Sequence, residues 1–138
     1  MKSKISILIA ASFLFSSCLA SLQVKKQRSS SYENISFSQV WEAALKSVED
    51  MGFTIKEANK EEIKLPAFSE WKGVISAEGE KNALTQVKPP QLYVTLREKG
   101  GRIEVDCQAT QPRQMIDYGE TKKNLRRFFE YLSQNLSR

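Results

Sequence analysis

Nucleophilic, acid–base and metal chemistry each need particular side chains at workable spacing, and this sequence offers few. His is absent, which removes Ser–His and Cys–His pairs, imidazole bases and imidazole metal ligands. Cys18 and Cys107 are the two cysteines, too few for a four-thiolate metal site or a multi-bridge disulfide framework. Ser69-Glu70-Trp71-Lys72 has the S-x-x-K spacing that pairs a Ser nucleophile with a Lys. The S-D-N and K-T-G motifs that complete such a site are missing, and a chain rich in Ser and Lys offers that spacing by chance. Carboxylates pair at Glu49-Asp50, Glu61-Glu62 and Glu78/Glu80. A glycosidase needs two carboxyls across a cleft, with one desolvated; these fall in turns or on an exposed helix face beside Lys, as solvated charges do. No calcium loop and no Gly-rich phosphate loop is present. The expectation is a protein that is not an enzyme, with no catalytic residue, cofactor or metal.

Two sets of side chains remain as candidates for binding a partner. Trp71, with Phe68 and Pro66, is expected in a loop outside the regular elements. It either closes one end of the core or contacts a partner, because exposed aromatics are enriched at interfaces. Lys122, Lys123, Arg126 and Arg127 are expected on one helix. They form either a solvated face, with Arg126–Glu130 at i,i+4, or a basic patch for an acidic partner.

The elements that would position these residues can be read from periodicity. A short strand expected at Tyr32–Phe37 leads into a helix from about Ser38 to Met51, where Val40, Trp41, Ala44, Leu45 and Val48 form one stripe. Ser36 with Gln39, or Ser38, caps its start and Gly52 ends it. A strand begins at Phe53, a charged turn is expected at Asn59–Glu62, a short extended piece at Glu61–Leu65, and another strand at Gly73–Ala77. Gly79–Pro90 is too polar and broken for core.

The strongest signal is a hairpin over Gln91–Thr110 turning at Gly100-Gly101. Its register sets Leu96, Val94 and Leu92 opposite Val105, Cys107 and Ala109 on the buried side. Arg97, Thr95 and Tyr93 then face Glu104, Asp106 and Gln108 on the other. A last helix is expected from about Tyr118 to Leu136, capped by Asp117 with Glu120, with Leu125, Phe128, Phe129, Leu132 and Leu136 inward. One-sided strands need a cover on one face. The predicted fold class is α+β: a two-layer sandwich of a three- to five-stranded antiparallel sheet with two helices on one face.

The chain has 138 residues, 41% of them hydrophobic, with a formal charge of +5. That is enough for one core and one domain. At its start, Lys2 and Lys4 precede an apolar run from Ile5 to Phe15, interrupted by Ser6 and Ser12. As a helix that run would span roughly 16 Å, about half of a bilayer core, which suits a signal peptide better than a membrane span. Leu14-Phe15-Ser16-Ser17-Cys18 follows. Small residues directly before a Cys resemble the lipobox of bacterial lipoproteins, with Phe15 where that family usually has Leu. The resemblance implies cleavage before Cys18 and lipidation of Cys18. Ordinary cleavage after Ala20 is the other reading. Loss of residues 1–17 removes Lys2 and Lys4 and leaves +3, so nucleic acid is not an expected partner.

The domain organisation expected is residues 1–17 as signal peptide, 18–31 as lipidated Cys and flexible tether, and 32–138 as one α+β domain. In the tether, Lys25, Lys26 and Arg28 could lean on anionic headgroups. The whole pattern resembles small bacterial lipoproteins. Its element order is also loosely similar to the helix-grip domains in the C subunit of the outer-membrane β-barrel assembly machinery. These resemblances imply a lipid-anchored protein of the cell membrane, at the outer membrane and facing the periplasm if the cell is Gram-negative. Membrane lipid and an envelope protein are the expected partners, in a structural or assembly role. The other function class is a periplasmic module for a small ligand or lipid. A deep apolar pocket between helices and sheet would favour it, and an exposed aromatic patch around Trp71 would favour the first.

Overall fold

Hydrophobic stripes on two helices and alternation in the central strands resolve into one two-layer arrangement. The computed structural model describes residues 23–80, 89–112 and 119–137. In chain order the elements are β1 (Gln23–Glu33), α1 (Phe37–Asp50), β2 (Thr54–Lys64), β3 (Ser69–Glu78), β4 (Gln91–Lys99), β5 (Arg102–Pro112) and α2 (Glu120–Leu136). The strands form a five-stranded antiparallel sheet in the order β1-β5-β4-β3-β2. Both helices cover one face, α1 over β2 to β4 and α2 over β5 and β1. This is the expected α+β sandwich, with five strands and two helices on one side.

The central hairpin has the register its sequence predicts. All six expected cross-strand pairs are present, from Leu96 opposite Val105 to Tyr93 opposite Gln108. Gly100 and Gly101 take φ of 58° and 78°, the left-handed values a two-residue turn requires and that glycine adopts without a Cβ clash. Leu92, Val94, Leu96, Ile103, Val105, Cys107 and Ala109 are buried and point at the helices. Burial pushes the Cys107 thiol far above its ordinary pKa, with the neighbouring Asp106 carboxylate adding to the shift. The thiol therefore stays protonated and unreactive.

Helix α1 starts on a capping box. Ser36 Oγ accepts from the Gln39 backbone N–H at 3.2 Å, and Gln39 Oε1 accepts from the Ser36 backbone N–H at 3.1 Å. At its other end Gly52 has φ 84°. The Phe53 N–H reaches the Val48 carbonyl and the Gly52 N–H reaches the Glu49 carbonyl, the paired bonds of a Schellman stop. The helices meet through Asn135, whose Nδ2 donates to Ser47 Oγ at 3.0 Å and to Asp50 Oδ2 at 3.2 Å.

Both edge strands depart from the sequence reading. Residues 23–31, expected within a flexible tether, belong to β1, which pairs with β5 along its whole length. The folded domain thus includes residues 23–31, ahead of the Tyr32 start expected for it. The short strand expected at Tyr32–Phe37 is absent as such: Tyr32 and Glu33 end β1, Asn34 turns with φ 59°, and Phe37 is already helical. The charged turn expected at Asn59–Glu62 lies inside the continuous strand β2, and β3 begins at Ser69. Edge strands are held by backbone pairing along one side and leave most side chains wet on both faces, so they carry no alternation to read. The residue preceding α2 is Gly119, at φ 75° with no side-chain cap bond. The expected cap at Asp117 lies outside the described residues, as do residues 1–22 and 81–88.

Candidate functional site: an aromatic stack under an exposed hairpin tip

Strand β3 puts Trp71 on the helix side of the sheet, in line with Gly73, Ile75 and Ala77. The loop position expected for it is therefore corrected: Trp71 is a strand residue, half-buried where the sheet runs past the start of α1. It stacks on Phe37 at a centroid distance of 5.9 Å, and Phe37 stacks on Trp41 at 6.1 Å. Lys60, on the same face of β2, lies 5.7 Å from the Trp71 ring centre, within cation–π range. The stack needs a flat floor, and Gly73 supplies it. A Cβ there would fall 2.4 Å and 2.7 Å from two atoms of the Trp41 ring.

Beyond the stack, β2 and β3 continue as a hairpin with little helix beneath it. The turn closes through the Leu65 N–H and the Phe68 carbonyl at 2.8 Å. Phe68 is 57% exposed, Leu65 40% and Ile63 38%. Scattered exposed apolar residues are ordinary, but these are three in six positions at one projecting tip, with Ile63 opposite Glu70 on the face away from Trp71. Lys64 and Glu70 flank it. Trp71 closes this end of the core against Phe37 and stays half-buried.

The basic residues lie elsewhere. Arg126 and Arg127 are on α2, above β5 and β1, at the opposite edge from Trp71. Arg126 Nε sits 3.7 Å from Glu130 Oε1, the expected i,i+4 pair, with both side chains well exposed. Arg28 of β1 lies over the Phe129 ring at 5.0 Å and shares a shallow groove with Arg126, Tyr32 and Glu130. Residues expected in a tether thus join residues expected on a helix. Sequence reading missed this because the strand character of β1 was hidden.

The S-x-x-K spacing has no geometry for catalysis. Ser69 lies on the helix side of β3 and Lys72 on the other, because residues three apart in a strand point to opposite faces. Glu61 and Glu62 diverge for the same reason. Among the described residues no group of three or more His, Cys, Asp or Glu is placed to hold a metal ion. Nor is any described helix long and apolar enough to cross a membrane. The interface between α1 and the sheet is filled by Val40, Trp41, Ala44 and Val48 against Ile75, Leu92 and Val94, all at 4% exposure or less.

Fold and site together define a small α+β domain with one hydrophobic core and an apolar hairpin tip. No family model matches the chain, and no curated protein sequence matches it. Similar solved structures include Ara h 8.0201, at 9% identity and TM-score 0.44, covering 84% of this chain and 99% of that one. Ginseng major latex-like protein 151 from Panax ginseng is 7% identical at TM-score 0.45, covering 83% of this chain and 95% of its own. Mll3558 from Rhizobium loti is 9% identical at TM-score 0.34, covering 83% and 96%. With all three scores below 0.5, these likenesses carry nothing about ligand, partner or activity.

Proposed function

We propose that the chain is a lipid-anchored protein of the bacterial cell envelope, held through Cys18, whose folded domain is a non-catalytic accessory working by protein contact at the β2–β3 tip. The observation that supports it most is the exposed cluster of Phe68, Leu65 and Ile63 at the β2–β3 tip. An apolar patch at a projecting tip has no role in holding the core, and such patches are where proteins meet. Where α1 meets the sheet, Val40, Trp41, Ala44 and Val48 pack on Ile75, Leu92 and Val94, which supports contact at the surface over a ligand held at that interface. The lipidated state of Cys18 rests on the lipobox resemblance, and the outer membrane is the proposed site if the cell is Gram-negative.

Metabolic labelling with palmitate tests the anchor. Label is expected to enter the protein and to vanish in Cys18→Ala, with the domain moving from the membrane to the soluble fraction. A mature N-terminus at Ser21 with no label would show simple secretion instead.

A further inference from the structure

We infer that the corner of the domain where β1 begins is a docking surface for anionic lipid headgroups, which turns the apolar β2–β3 tip away from the membrane. The inference rests on the anchored reading for its orientation and on charge for its surface.

Two basic segments nearly a hundred residues apart in sequence meet at this corner. Lys25, Lys26 and Arg28 lie along the first half of β1, all exposed. Lys122, Lys123 and Arg126 lie along the first half of α2, also exposed. The two elements run the same way. Arg28 covers Phe129, while Leu136 at the end of α2 lines a groove with Ile35, just past the end of β1. The first halves therefore share one end of the sheet: Lys26 and Arg28 lie on the helix face with the three α2 cations, five against the flanking Glu120 and Glu130, and Lys25 lies at the same end on the other face.

Chain length supplies the second observation. Four residues, Leu19 to Leu22, separate Cys18 from Gln23. Fully extended, that link reaches at most ~18 Å, so a lipid on Cys18 keeps the start of β1 near the headgroups. The tip lies diagonally across the sheet. It is about 33 Å further along the strands and about 19 Å across four strand spacings. Standing the domain tip-down, with its strands along the membrane normal, would require a link roughly twice as long. The surface next to the anchor is thus the basic one, and anionic headgroups attract each nearby Lys or Arg enough to raise binding roughly fivefold. That attraction acts within a Debye length of about 8 Å at physiological salt.

The test uses the full chain reconstituted into vesicles carrying a nitroxide-headgroup lipid. One fluorophore is placed at Gln27→Cys beside the corner, and another at Ala67→Cys on the tip. Buried Cys107 stays unlabelled. In vesicles of phosphatidylcholine with about one-third phosphatidylglycerol, the Gln27 label is expected to be quenched several-fold more than in pure phosphatidylcholine, and the Ala67 label in neither. A Lys122→Gln/Lys123→Gln/Arg126→Gln chain should lose that difference, whereas Lys56→Gln/Lys60→Gln/Lys64→Gln on the opposite edge should keep it. Quenching independent of lipid charge, equal loss in both triple variants, or stronger quenching at Ala67 overturns the inference. If the chain carries no lipid, the anchored reading fails separately. The surface is then judged on flotation, which must occur with the anionic vesicles and not the neutral ones.

Discussion

The molecule contains two antiparallel hairpins that use apolar side chains in opposite ways. The β4–β5 hairpin lies inside the sheet, flanked on both sides, and points its apolar residues at the helices, where none is more than 1% exposed. Two left-handed glycines close it, so turn geometry and burial agree on one register. The β2–β3 hairpin borders the edge. Its lower half packs beneath α1, while its upper half carries Ile63, Leu65 and Phe68 into solvent. The comparison separates apolar residues that hold the fold from apolar residues free to bind. Composition alone treats the two sets alike; their places in the sheet do not.

The largest effect expected from breaking that contrast comes from identical deletions in the two hairpins. Leu96→Ala on β4 removes a fully buried side chain and should cost about 2–5 kcal/mol in urea unfolding. Leu65→Ala at the tip should change stability by no more than about 0.5 kcal/mol. Equal costs would mean that the tip is a structural part of the core.

A smaller loss is expected at the junction of the two regimes. Gly73→Ala drives a methyl group into the Trp41 ring, and overpacking of this kind costs about 1–3 kcal/mol. Trp41 is itself 4% exposed between helix and sheet and has little room to withdraw. Thermal unfolding, together with the near-ultraviolet circular dichroism of the stacked rings, measures it. Unchanged stability with unchanged ring signals would show that the stack is looser than its geometry implies.

Smaller again near neutral pH is the effect of the Cys107 thiol. Its folded pKa is raised by burial, so folding favours the protonated form. The stabilisation is complete below the unfolded thiol pKa near 9 and is lost as pH rises through and beyond it. Stability should therefore fall by about 1.4 kcal/mol per pH unit above that point from this group alone. A Cys107→Ala chain should lack that part of the slope. Identical slopes in the two chains between pH 9 and 10.5 would contradict the burial. Slow native labelling of the thiol, fast after denaturation, checks the same assignment without titration.

How far the sequence could be read follows the same division. The central hairpin, both helices and the α1 caps were legible because burial on one face imposes a period and the turns demand particular residues. Leu92, Val94 and Leu96 alternate since the helices lie on one side only. The edges were not legible. In β2, Asn59, Lys60, Glu61 and Glu62 look like a turn because both faces are wet, although each is paired with β3. In β1 the run Lys25 to Ser31 looks like a linker for the same reason. Charged edges also discourage pairing with other chains, so the composition that hid these strands has a physical role. Of the site, Trp71 and the Arg126/Arg127 helix were picked out as residues. The Phe37–Trp41–Trp71 stack and the meeting of Arg28 with Arg126 were not, because both join segments whose proximity depends on those edge strands.

The smallest effect on stability should accompany the largest effect on contact. Phe68 is 57% exposed, and its backbone carbonyl, not its ring, closes the turn. Phe68→Ala should therefore leave unfolding unchanged within about 0.5 kcal/mol. If the tip is where a protein binds, truncating an aromatic anchor should weaken that contact by about 2 kcal/mol or more, roughly thirtyfold. A photoreactive side chain at position 68, installed in the membrane-anchored protein in cells, should give a discrete protein adduct. The same group at Tyr93, 46% exposed on the uncovered sheet face, serves as the control for surface exposure alone. Adducts at 68 that Leu65→Ala diminishes, with none at 93, would tie the contact to the apolar tip. Equal yields at both positions would show that exposure, not this patch, governs the crosslinks and would remove the tip from the binding role.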